Sequence, residues 1–148
     1  MVLLHQHKDP DVVFDEPLSA AVHTTFPGAA YAEVDDEAGE ATFDRLREHA
    51  RRVKHVVVAP VVKPAAFQGQ GLQPMAQEFV RDLIEEQPVV LASLGSPYVL
   101  DDFPKAAARI CTYSDAIPSQ RALADVLAGR EAEEIRLQDR ASGRSATG

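Results

Sequence analysis

A polar, glycine-rich segment carries the side chains best suited to binding a ligand. It covers residues 63–72 and directly follows the apolar run 56–62. Phe67 can stack on the face of a sugar ring, while Lys63, Gln68 and Gln70 can hydrogen-bond to hydroxyl groups. Loops at the carboxyl ends of strands commonly carry binding groups. We therefore take these four residues as candidate substrate contacts; the structural alternative is a loop folded against a neighbouring domain.

Two acidic clusters also follow apolar runs. Asp35, Asp36 and Glu37 come after residues 30–34, and Asp101 and Asp102 come after Val99 and Leu100. Carboxylates in such places can coordinate Mg²⁺ or act as acid and base. Asp35–Glu37 also precede a helical pattern, whose positive end favours negative charge. We favour the structural interpretation for both clusters.

The remaining metal-binding and nucleophilic residue types give weak signals. His5 and His7 would share one face of a strand, but two ligands are too few for a metal site. Cys111 lies in an apolar run, which favours an inert thiol, and a single cysteine excludes an intrachain disulfide. The sequence therefore predicts no metal site.

Common catalytic and cofactor motifs are missing from the sequence. Neither G-x-G-x-x-G nor G-x-x-x-x-G-K-[ST] occurs, and Gly95-Ser96-Pro97 does not match the G-x-S-x-G turn of serine hydrolases. We predict no bound cofactor and identify no catalytic residue.

Alternating apolar runs and amphipathic patterns must position these candidates. Strands are predicted over 30–34, 56–62, 88–94 and 108–113, with a weaker one over 2–5. Helices are predicted over 18–25, near 38–53, over 74–86 and over 119–128. Their inward residues would be Phe43, Leu46, Ala50 and Val53, then Met75, Phe79, Leu83 and Ile84, and finally Leu123, Val126 and Leu127. This alternation predicts a three-layer α/β/α sandwich with a mainly parallel, doubly wound sheet of about five strands.

Length and charge restrict the function classes. The chain has 148 residues, enough for one domain over 1–130, followed by a polar tail over 131–148 that we expect to be disordered. A net charge of −8 argues against nucleic acid and anionic membranes as partners. The sequence shows no signal peptide and no membrane-spanning run, so we expect a cytoplasmic protein.

Several segments, taken in order, resemble a known family. They are residues 89–104 (VVLASLGSPYVLDDFP), 112–115 (TYSD), 119–122 (SQRA) and, in the loop, 66–69 (AFQG). Together they resemble the carboxyl-terminal domain of family-3 glycoside hydrolases, in the β-N-acetylglucosaminidase (β-N-acetylhexosaminidase) branch. The match is best over 56–129. After Gly129 the family usually continues into Gly-x-Leu-Pro-Val, which this chain lacks.

The resemblance implies a domain that follows a (β/α)₈ barrel. In the family the barrel carries the nucleophilic aspartate, and in this branch it also carries an acid/base histidine. A chain of this length has no room for the barrel, so none of the family's catalytic residues can be assigned to a position here.

Three hypotheses follow from these observations. The first is an accessory domain of a family-3 glycosidase that docks on a barrel-bearing partner through an exposed apolar surface, with an aminosugar as a possible ligand. The second is an α/β enzyme of another class that uses Asp35 and Asp36 or the loop 67–72. The third is a carbohydrate-binding module in which Phe67 contacts the sugar.

Overall fold

The chain alternates between strands and helices, as predicted. The computed structural model describes residues 1–6, 17–62 and 71–130. In these segments the strands are β1 (Val2–Gln6), β2 (Tyr31–Val34), β3 (Val56–Val62), β4 (Val89–Gly95) and β5 (Ala108–Cys111). The helices are α1 (Pro17–Thr25), α2 (Glu40–Ala50), α3 (Pro74–Glu86) and α4 (Ile117–Leu127), and a short 3₁₀ helix covers Pro97–Leu100.

The five strands form one parallel sheet in the order β2-β1-β3-β4-β5. The central strands β3 and β4 are the two most apolar runs, because their side chains are covered on both faces of the sheet. Pro60 lies within β3 although proline cannot donate to a ladder. The register is unchanged across it, since Val58 pairs with Leu91 and Val61 pairs with Leu94.

Helices α2 and α3 cover one face of the sheet. Phe43 and Phe79 meet with ring centroids 5.0 Å apart, and the Arg47 guanidinium lies over the Phe79 ring while it pairs with Asp82 at 2.8 Å. Leu83 is fully buried in the same core. The two helices thus pack on the sheet and on each other.

Helices α1 and α4 cover the opposite face. Leu18, Leu94 and Leu123 are buried in a second core between these helices and the sheet. Gln120 links the two helices, because its side-chain oxygen accepts a hydrogen bond from the Leu18 N–H at 3.1 Å and its amide donates to the Asp115 carbonyl at 2.7 Å. The three-layer sandwich, doubly wound about a parallel sheet of five strands, is confirmed.

Three details of the predicted elements are wrong. Met75 is 46% exposed. The buried face of α3 is centred on Ala76 and Leu83, and Met75 lies about a quarter of a helical turn around the axis from that face. Val126 is 36% exposed, whereas Leu123 is buried as predicted and Ala124 is buried beside it. The last strand ends at Cys111 rather than at residue 113, since the chain turns immediately after it.

Some predictions fall on residues outside the described segments. These are the tail over 131–148, the histidine at position 7 and the loop that holds Lys63, Phe67, Gln68 and Gln70. None of the helices in the described segments has the length and apolar character that a membrane span requires.

Gly95 closes β4 in a conformation that needs glycine. Its φ is +132°, and a Cβ atom built on it would lie 2.3 Å from the Val62 carbonyl oxygen of the neighbouring strand. The same oxygen accepts a hydrogen bond from the Ser96 N–H at 2.9 Å. This close approach joins the carboxyl ends of β3 and β4.

We expect Gly95→Ala to lower the free energy of unfolding by about 3 kcal/mol or more, because both the positive φ and the collision with Val62 add strain. Urea denaturation of the full chain measures the change.

Gly28→Ala is the matched control. Gly28 has a φ of +88°, but a Cβ there would meet nothing within 4 Å. The control should lose about 1–2 kcal/mol from its backbone conformation alone. An equal loss in the two variants would contradict the close approach at Gly95.

Candidate functional site

The carboxyl edge of the sheet, where all five parallel strands end, is the expected position of a ligand site or partner site. In doubly wound sheets with this strand order, ligands bind beyond the carboxyl ends of the strands, at the point where the strand order reverses. That point lies between β1 and β3. The candidate residues Lys63, Phe67, Gln68 and Gln70 follow β3 in the sequence but lie outside the described residues.

The acidic segment after β2 forms a turn. One Asp35 carboxylate oxygen accepts a hydrogen bond from the Glu37 N–H at 3.0 Å, and the Asp35 carbonyl accepts one from Ala38 at 3.1 Å. Helix α2 begins shortly afterwards at Glu40. These contacts support the structural interpretation of this cluster, in which the carboxylates shape the entry to a helix.

The second acidic pair lies beside α3. The Asp102 carboxylate accepts a hydrogen bond from the Gln77 side-chain amide at 3.3 Å, which connects the segment after β4 to the first turns of the helix. Within the segments that the structure describes, no group of three or more His, Cys, Asp or Glu side chains is arranged to hold a metal ion.

Two hydroxyl groups hold the backbone where β4 and β5 end. The Ser93 Oγ donates to the Ser96 carbonyl at 2.6 Å and is fully buried. The Thr112 N–H donates to the Ser93 carbonyl at 3.0 Å, and the Thr112 Oγ1 donates to the Ser114 carbonyl at 2.7 Å. These groups stabilise the edge.

Cys111 ends β5 and is half-buried. Its Sγ lies 3.7 Å from the Gly95 carbonyl oxygen, within reach of a weak S–H hydrogen bond, and the side chain packs against the larger core. This environment is that of a packing residue, as the sequence predicts.

Large apolar side chains are exposed at the same edge. Tyr98 follows β4 and is 67% exposed, and Tyr113 follows β5 and is 74% exposed. Met75 and Ile117 lie in the first turns of α3 and α4, which begin at this edge, and they are 46% and 44% exposed. We call these four residues the apolar rim.

Sequence reasoning missed the apolar rim. It placed Met75 in the core and Tyr113 in a strand, and it gave Tyr98 and Ile117 no separate role. The Tyr-Ser-Asp sequence after Thr112 is a turn signal that could have moved Tyr113 out of the strand, because Ser and Asp side chains bond to nearby backbone groups. Exposure at the other positions depends on the rotation of each helix, which the sequence pattern specifies only coarsely.

Solved structures share this fold. One is the glycoside hydrolase family 3 β-N-acetylglucosaminidase from Paenibacillus sp. str. FPU-7, with a TM-score of 0.69, 17% identity, and coverage of 87% of this chain and 25% of that chain. Another is a fungal multi-domain β-N-acetylglucosaminidase of the same family, with a TM-score of 0.63, 18% identity, and coverage of 86% and 14%.

A third solved structure extends the comparison to another activity. The beta-glucoside phosphorylase BglX matches with a TM-score of 0.54 and 17% identity, over 87% of this chain and 24% of that chain. Neither the protein-family models nor the curated protein sequences gave a match to this chain. This chain spans a quarter or less of the length of each of these solved proteins, and it shares the fold of a part of them, in agreement with the resemblance that its sequence shows.

Proposed function

We propose that this chain is an accessory domain of a family-3 glycosidase of the β-N-acetylglucosaminidase type, which acts by docking on a separate barrel-bearing catalytic domain. The observation that carries the proposal is the fold match, which covers 87% of this chain but only 25% of the Paenibacillus enzyme. The sequence resemblance over residues 56–129 points independently to the same family.

The chemistry of glycoside hydrolysis supports a division of labour between two domains. Retaining hydrolysis needs a nucleophile and an acid/base group on either side of one glycosidic bond, usually as two carboxyls about 5–5.5 Å apart. At the carboxyl edge, Asp35 forms a turn and Asp102 bonds to Gln77. We assign the bond-breaking groups to the partner and a supporting role to this chain.

The exposed surface also supports docking. A domain that functions beside a larger catalytic domain should present apolar side chains that the partner covers. The apolar rim meets this expectation.

We further propose that residues 1–130 are sufficient for docking, which truncation after Arg130 tests. We also propose that the complex is cytoplasmic, which cell fractionation tests.

Association is the direct test. Purified full-length chain is mixed with the family-3 barrel protein encoded in the same genome, and binding is measured by calorimetry and by light scattering after gel filtration. We expect a one-to-one complex at micromolar concentration. The absence of a complex at 100 µM, roughly a hundredfold above a micromolar Kd, would contradict the proposal.

The loop after β3 is our proposed contact to the sugar. Phe67 would stack on an N-acetylglucosamine ring at the rim of the partner's active site, and Lys63, Gln68 and Gln70 would bond to its hydroxyl groups. In the assembled complex, Phe67→Ala should raise the KM for a nitrophenyl N-acetylglucosaminide about tenfold, which corresponds to about 1.4 kcal/mol.

Phe26→Ala is the control, because Phe26 is a half-buried aromatic residue after α1, away from this loop in the topology. It should leave KM unchanged. Equal KM values for Phe67→Ala and the unmodified complex would remove the sugar contact from the proposal and leave the docking role intact.

A further inference from the structure

The apolar rim concentrates exposed apolar surface at one edge of the molecule. Among the described residues five large hydrophobic side chains are exposed, and four of them form the rim; the fifth, Val126, lies in the last turn of α4 at the opposite edge. Single exposed apolar residues are ordinary, whereas the concentration of four of them at one edge of the sheet points to an interaction surface. The group here follows the ends of β3, β4 and β5.

Tyr113 is presented outward by a strained backbone. Its φ is +57°, a backbone conformation that is unusual and unfavourable for a bulky residue. The bond from Thr112 to the Ser114 carbonyl and the bond from the Ala116 N–H to the Ser114 Oγ, at 3.1 Å, hold this turn. Strain of this kind is typical of functional positions, and the exposed side chain adds little to the packing of its own domain.

Carboxylates flank the rim. Asp101 and Asp102 come directly after the short helix that holds Tyr98, and the basic side chain of Arg109 donates to the Leu100 carbonyl at 3.4 Å. The whole chain carries a net charge of −8. Positive charge on a partner that covers the rim is therefore favourable, since like charges across an interface are unfavourable.

A second copy of this chain is a poor fit to the rim. Two rims face to face would oppose their carboxylates. Four basic side chains at the opposite edge form ion pairs within the chain, namely Arg51 with Glu86, Arg52 with Glu48, Lys105 with Glu85 and Arg130 with Asp125. Arg51 also holds the pKa of Glu86 below its ordinary value by hydrogen bonding.

We infer that the apolar rim and its flanking carboxylates form the docking surface for a separate domain whose contact face carries arginine or lysine among apolar residues. Guanidinium groups stack on tyrosine rings and pair with carboxylates, so Tyr98 and Tyr113 act as anchors and the carboxylates orient the approach. The identity of that domain as the catalytic barrel rests on the function proposed above.

The test compares rim variants in the association assay with the barrel protein. Tyr98→Ser should weaken binding about tenfold or more, as truncation of an interface anchor does. Val126→Ser, which removes an exposed apolar side chain at the opposite edge, should leave binding unchanged. Combined Asp101→Asn and Asp102→Asn should slow association and reduce its dependence on salt between 50 and 500 mM NaCl.

Tyr113→Gly separates docking from folding. Glycine adopts a positive φ at little cost, so this variant should unfold at equal or higher urea concentration than the natural chain while its binding weakens about tenfold. A structural role for Tyr113 would instead lower stability and leave binding intact.

The outcomes distinguish this inference from the proposed function. If the barrel protein binds and the tyrosine variants bind equally well, the rim is not the docking surface, although the proposed function stands.

If the barrel protein does not bind, an amidated hexa-arginine peptide is titrated into the full chain, and the chemical shifts of the chain are followed by NMR. Shifts centred on Tyr98, Tyr113 and Asp102 support a cationic partner of another kind; shifts elsewhere, or none, overturn the inference. A dimer of the chain that Tyr98→Ser dissociates also overturns it.

Discussion

A parallel sheet joins neighbouring strands only through crossovers, and this constraint determines the rest of the structure. Each helix returns the chain to the amino edge, so both faces of the sheet are covered and every strand ends at the same edge. The apolar runs of β3 and β4 can be buried on both sides only because α2 and α3 pack on one face while α1 and α4 pack on the other. The segments that follow all five strands therefore meet at the carboxyl edge, where sheets of this kind carry their functional groups.

At that edge, structural and interaction roles fall to different side chains. Ser93 and Thr112 use their hydroxyl groups to hold the backbone, and Asp35 forms the turn that leads into α2. Tyr98 and Tyr113 extend outward instead. This separation is what we expect of a domain that is stable by its own packing and contributes a surface, rather than a reactive group, to a larger assembly.

Strands β3 and β4 were predictable because their apolar runs are nearly continuous, and α3 was predicted with its observed bounds because Pro74 suits a first helical turn. Met75 and Val126 were misplaced because periodicity gives the buried stripe of a helix to within about one residue, which decides burial at its margins. Tyr113 was missed because the apolar run was extended past Cys111, although Ser114 bonds to nearby groups and forms a turn there. The predicted sugar contacts, Lys63, Phe67, Gln68 and Gln70, remain predictions, since they lie outside the described residues.

In the proposed function this chain supplies a docking surface, and a separate domain breaks the glycosidic bond. The most direct measurement is the release of nitrophenol from a nitrophenyl N-acetylglucosaminide by the purified full-length chain alone. The account predicts a rate equal to that of buffer. Saturable release by the isolated chain that disappears when Asp35 is replaced by Asn would contradict it, because the reactive carboxylate would then belong to this domain.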